Sequence, residues 1–139
     1  MATVTAWGTS NVMNVNGASR KNTEKMSKKI YIAGKIGEEV PSEATLRKFA
    51  RTEELLQSKG YNVFNPTRSG LGATADVLAK EKGTDFYREI MLLDLDVLAK
   101  CDSICMLADW VDSPGATVEY YFAKALGLEV IYKKWDKDE

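Results

Sequence analysis

Two carboxylates stand where helical spacing calls for apolar side chains, and carboxylates are among the few groups able to act as nucleophile or general acid. In the segment from Ser113 to Gly127, Ser113 suits an N-cap, Pro114 the first helical position and Gly127 the stop. At ~100° per residue, Thr117, Tyr121 and Lys124 mark a polar side, and Ala116, Phe122, Ala123 and Leu126 an apolar one. Glu119 falls inside the apolar arc. Its neighbours four residues away are Gly115 and Ala123, so the helix offers it no cation. A solvated helix glutamate is the ordinary case, but a carboxylate turned toward a core is costly unless something compensates it.

The same projection separates two acids on the preceding helix, which spans about Asp85 to Lys100. Phe86, Ile90, Leu93 and Val97 form its apolar stripe, widened by Tyr87, Met91 and Leu98. Asp96 lies opposite, near Glu89, with Lys100 four residues on as a partner. Asp94 lies within the apolar arc, at an edge that water can reach. If both helices meet one rim, Asp94 and Glu119 form a pair whose pKa values burial and repulsion push apart. One acid and one nucleophile are what cleavage of a glycosidic bond requires. The chain has no histidine, so acid–base chemistry near neutrality falls to carboxylate, Lys, Tyr or Cys.

An anion site is the second possibility. Asp112-Ser113-Pro114-Gly115-Ala116 is a small-residue turn opening a helix, where free N–H groups and the Ser113 hydroxyl favour negative charge; a plain helix cap gives the same pattern. Gly34-Lys35-Ile36-Gly37 adds a turn with one cation, and it is neither a Walker loop nor a G-x-G-x-x-G fingerprint. Trp110 and Tyr31 are candidates to stack on a base or sugar, or simply to pack beside a sheet.

These groups need elements to hold them. Ile30–Ala33, Tyr61–Phe64, Ser103–Ala108 and Glu129–Lys133 read as short buried strands. Between the first two, Ser42 caps a helix carrying Leu46, Phe49, Ala50, Leu55 and Leu56, stopped by Gly60. Residues 68–84 read as a long loop with a short helix around Ala75–Lys82. Alternating strands and helices predict an α/β fold: a Rossmann-like (flavodoxin-like) three-layer sandwich with a parallel sheet of four to five strands. Ligands in such sheets sit beyond the carboxyl ends of the strands. That singles out Gly34–Gly37, Asn65–Arg68 and Asp109–Gly115.

A length of 139 residues suits one domain, and a net charge of -1 gives no basis for binding a nucleic acid polymer or a membrane. No apolar run approaches the ~18 residues of a membrane span, so a cytoplasmic protein is expected. Cys101 and Cys105 fit neither a metal spacing nor a disulfide framework and read as buried thiols. Neither metal nor cofactor is expected. Residues 1–28 read as a flexible or loosely docked arm, or one packing on a partner subunit through Val4, Trp7 and Val12. Met26-Ser27-Lys28-Lys29 looks like a natural start, and the working domain is expected over 29–139.

With Tyr31, Asp94, Ser113 and Glu119 assembled, the chain resembles the nucleoside 2-deoxyribosyltransferase superfamily over about residues 29–133. Within it, the likeness is greatest to a small, largely uncharacterised phage and bacterial branch, with the 2'-deoxynucleoside 5'-monophosphate N-hydrolases as relatives. The resemblance rests on Ile30-Tyr31-Ile32-Ala33-Gly34, Phe64-Asn65-Pro66, Asp94 eight residues before Asp102, Trp110, and Ser113-Pro114-Gly115-Ala116-Thr117-Val118-Glu119. It implies that Glu119 attacks C1' of the sugar, that Asp94 assists at base or sugar, and that Tyr31 orients the nucleophile. It also implies that Ser113 binds a 5'-phosphate, and that the protein is a homodimer or higher homo-oligomer. Lys35 and Gly37 stand where the hydrolases carry Ser and Arg, and Ala116-Thr117 replaces a more glycine-rich approach to the nucleophile. The resemblance thus implies a small-molecule ligand, nucleotide or nucleoside, with Gly34, Lys35, Asn65, Trp110 and Gly115 joining Ser113 in binding it. Two other readings remain: a binder that sequesters or senses a nucleotide in the same pocket, and a structural interaction domain using Trp7 and Trp135.

Overall fold

Strands form here because short apolar runs can be covered on both faces. In the computed structural model, which describes residues 28–37 and 40–133, β1 (Lys29–Ala33) is buried at every residue but its first, and β3 (Ser103–Met106) at all of them. The arm read over 1–28 (save Lys28), and Trp135, lie outside the described residues. With β2 (Asn62–Phe64) and β4 (Glu129–Tyr132), these strands make one four-stranded parallel sheet in the order β2-β1-β3-β4.

Alternation along β1 divides the core in two. Ile30 and Ile32 face α1 (Glu43–Ser58) and join Phe49, Leu56, Cys105 and Leu107. Tyr31 and Ala33 face the other way, toward Leu98 of α3 (Phe86–Ala99) and Ala116 and Ala123 of α4 (Pro114–Ala125). Helices on both faces complete a Rossmann-like three-layer sandwich. Cys101 and Cys105 are buried thiols that form no disulfide, as their sequence context predicts.

The chain leaves β1 for β2 on one side and returns across it to β3 on the other. The order of connection therefore reverses between β1 and β3, which is where parallel sheets leave a crevice. Ala33 pairs with Met106, and Leu107 N–H donates to Ala33 O at 2.8 Å, so both strands end level there.

Two expectations need correction. Residues 68–84 are mostly helical: a 3-10 turn over Pro66–Arg68 leads to a 12-residue helix, α2 (Leu71–Lys82), packed on α3. Its buried positions are only Ala75 and Ala79, so the apolar period is faint, and Gly70 at its N-cap (φ 79°) reads as loop punctuation. In α1, Leu46 is exposed, and Thr52 takes a core position instead, its hydroxyl donating to Lys48 O at 3.2 Å.

Candidate functional site

The crevice at the β1/β3 reversal opens into a cavity of about 980 Å³, near the upper end of what small-molecule sites occupy. Gly34–Gly37 after β1 and Asp112–Ala116 after β3 form part of its wall, and Asp94 and Glu119 line it as well. The two acids singled out by helical projection thus line one space.

Glu119 belongs to the stripe Ala116, Glu119, Ala123, the buried side of α4. It is 7% exposed, and Tyr31, itself fully buried, donates its phenolic O–H to Glu119 Oε2 at 2.6 Å. Tyr31 is steadied by stacking on Phe64, centroids 5.1 Å apart. Burial pushes the Glu119 carboxyl up to about 8; the Tyr31 hydrogen bond works against that, and the Asp94 charge adds to it. The Tyr31 phenol is held well above its usual range by burial and by the two carboxylates, so it stays a donor.

Asp94 projects from α3 at the spacing Ile90, Asp94, Leu98. It is 7% exposed, and burial pushes its carboxyl up to about 7. Its Oδ1 is fully buried and has no hydrogen-bond partner among the described residues. Orphaned buried acceptors are rare in folded proteins, and one on a residue that lines a cavity can be met by water or by a ligand.

Ser113 caps α4, its Oγ accepting from Ala116 N–H at 3.1 Å, which leaves its own O–H to donate at the cavity wall. Beside it, Gly115 permits a close approach: a Cβ there would lie 2.9 Å from the Tyr87 hydroxyl. Gly34 is needed for a different contact, since its Cβ would meet Leu107 Cδ1 at 2.7 Å. Lys35 is exposed and lines the cavity.

Two residues expected at the ligand stand behind the wall. Asn65 is buried, its Oδ1 accepting from Thr67 N–H (2.9 Å) and Thr67 O–H (2.7 Å) while Nδ2 donates to Glu53 at 3.0 Å. It builds the turn whose Pro66 and Thr67 line the cavity. Trp110 stacks on Tyr120, centroids 4.4 Å apart, and packs on the core, away from the cavity lining.

Sequence reading missed Tyr87 and Met91 as wall residues. With Asp94 they follow helical spacing on α3, and that stripe was the available signal. The Tyr87 phenol is raised by burial and by the Glu119 charge. Among the described residues no three His, Cys, Asp or Glu side chains gather to hold a metal, and no helix is long and apolar enough to cross a membrane.

The family model for a domain of unknown function (DUF4406) matches residues 28–132, from the residue before β1 to the last of β4. The chain belongs to this family. Every wall residue of the cavity lies within the matched DUF4406 domain. No curated protein matches the chain.

Proposed function

We propose that this DUF4406 domain cleaves the N-glycosidic bond of a (deoxy)nucleoside 5'-monophosphate or nucleoside through a glycosyl–Glu119 intermediate. The observation that carries the reading is the pair itself: Glu119 buried against Tyr31, and Asp94 lining the same cavity with a buried oxygen left unpartnered. The resemblance to the nucleoside 2-deoxyribosyltransferase superfamily supports it, through Tyr31, Asp94, Ser113 and Glu119.

In the first step a Glu119 carboxylate oxygen bonds to C1' as the C1'–N bond breaks. The electron pair leaves with the base, which takes the proton of the Asp94 carboxylic acid. Water then attacks C1', gives a proton to Asp94, and the ester bond returns its electrons to Glu119. A second base in place of water makes the reaction a transfer. Burial of both carboxyls keeps one proton on the pair near neutrality; the deeper burial of Glu119 favours it there, so the first step runs from the form in which that proton has passed to Asp94. Ser113 O–H and Lys35 are the groups available to a 5'-phosphate. The same resemblance supports a homodimer or higher oligomer.

Chromatography of free base after incubation with deoxynucleotides and deoxynucleosides tests this. Release is expected from wild type and absent from Glu119→Ala. Release that persists in that variant overturns the mechanism, and binding without release favours a nucleotide-sequestering protein.

A further inference from the structure

Lys35 is the one cation on the cavity wall among the described residues, and its peptide is gripped on both sides. Its N–H donates to Asp109 Oδ1 at 3.1 Å, and its carbonyl accepts from Lys48 Nζ at 3.0 Å. Lys48 also ion-pairs with the other oxygen of Asp109. Three segments meet in this knot: the loop after β1, helix α1, and the 3-10 turn Ala108–Asp112 after β3. Half-buried ion pairs add little to stability, so the directional role matters more than the energy. Without Lys48, the Asp109 carboxylate is left beside Lys35, free to attract its ammonium away from the cavity.

We propose that Lys48 and Asp109 are positioning residues, which pin the Lys35 peptide so that its ammonium reads a phosphate on the ligand. The inference rests on the nucleotide reading above and adds what sets its preference for monophosphates. Lys35 touches the ligand; Lys48 and Asp109 act only through it.

The test titrates dAMP, dCMP, dGMP and dTMP, and the four matching deoxynucleosides, into wild type, K35M, K48M, K48R and D109N by calorimetry. Steady-state base release is measured alongside. Wild type is expected to prefer monophosphates. K48M and D109N should each lose about tenfold in monophosphate affinity, the scale of one charge-assisted hydrogen bond, with nucleoside affinity and kcat little changed. K48R keeps donors for both acceptors and should restore the preference. K35M should lose the preference outright, and K35M/K48M should lose no more than K35M.

Equal losses for monophosphate and nucleoside in K48M would mark a merely structural role and overturn the inference. So would an unchanged preference in K48M, or a wild type without one, leaving the Glu119 chemistry standing. Monophosphate binding without base release defeats the glycosidase reading alone, and here the preference ratios still decide the role of Lys48. A wild type that binds none of the eight compounds defeats both.

Discussion

Tyr31 and Glu119 lie 88 residues apart in the chain, and their side chains meet at 2.6 Å in the interior. The tyrosine comes from the α4-facing side of β1, and the glutamate from the buried side of α4. This bond opposes the burial that drives the Glu119 carboxyl up to about 8. Tyr31→Phe removes it. The remaining carboxyl must then ionise without a donor, so its pKa rises further and the rate at pH 7 should drop about tenfold, ~1.4 kcal/mol. Loss of a buried partner should also cost ~1–3 kcal/mol in urea unfolding at neutral pH. A pH–rate profile that stays in place in Y31F would show that Tyr31 does not tune Glu119.

Stability should fall as pH rises across the neutral range. Asp94 and Glu119 have folded-state values near about 7 and about 8, against ordinary values of 3.8 and 4.5. Between those limits the folded chain holds protons that the unfolded chain has released, so stability drops with pH and levels once both groups are ionised. Glu119→Gln cannot ionise and still accepts from Tyr31. Each pH unit between folded and unfolded midpoints is worth ~1.4 kcal/mol, so E119Q should exceed wild type by ~2 kcal/mol or more at pH 9. Near pH 4, below the unfolded value of 4.5, the two should be nearly equal. Urea titrations at both pH values measure this, and parallel curves would show that Glu119 ionises freely in the folded state.

The rate of base release should trace a narrow bell. One proton must sit on the pair, so kcat/KM falls below about 7, where both groups are protonated, and above about 8, where neither is. Asp94→Asn removes the acid and the repulsion together. It should cost ~10²-fold or more in rate and abolish the alkaline limb, leaving a rise set by Glu119 alone. A bell preserved in D94N would assign the acid elsewhere.

Much of this site was legible because helical projection asks only which face a residue occupies. Glu119 and Asp94 stood out against apolar neighbours, and both are buried on the cavity wall. Glu89 escaped by the same logic. It projects beside Asp96, but Asp96 pairs with Lys100 on the surface, whereas Glu89 is buried under the end of α2, where Thr84 O–H (2.6 Å) and Lys82 (3.0 Å) donate to it. One helix's period cannot register a cover supplied by another. Asn65 and Trp110 were singled out by type, yet their hydrogen bonds and ring faces are engaged within the wall, which composition does not reveal. The Lys48–Asp109 knot joins segments 61 residues apart and left no local pattern to read.

Gly34 and Gly115, both on the cavity wall, should fail in opposite ways. A Cβ on Gly34 meets Leu107 at Cδ1 (2.7 Å) and at Cβ (2.9 Å), and Leu107 is fully buried between β1 and α1 with nowhere to retreat. Gly34→Ala should therefore cost ~1–3 kcal/mol of stability, the usual penalty of overpacking. The Cβ on Gly115 meets the far end of Tyr87, a side chain 55% exposed and able to swing outward. Alanine is also the better helix former by up to ~1 kcal/mol, so Gly115→Ala should unfold at or slightly above the wild-type temperature. Its cost appears instead at the ligand, because Tyr87 is displaced and a methyl group is added beside Ser113; KM should rise severalfold with little change in kcat. Thermal melts and steady-state base release on both variants separate these outcomes. A G34A protein as stable as wild type would mean that Leu107 repacks freely. A G115A protein with unchanged KM would remove Tyr87 and the α4 start from the ligand's surroundings.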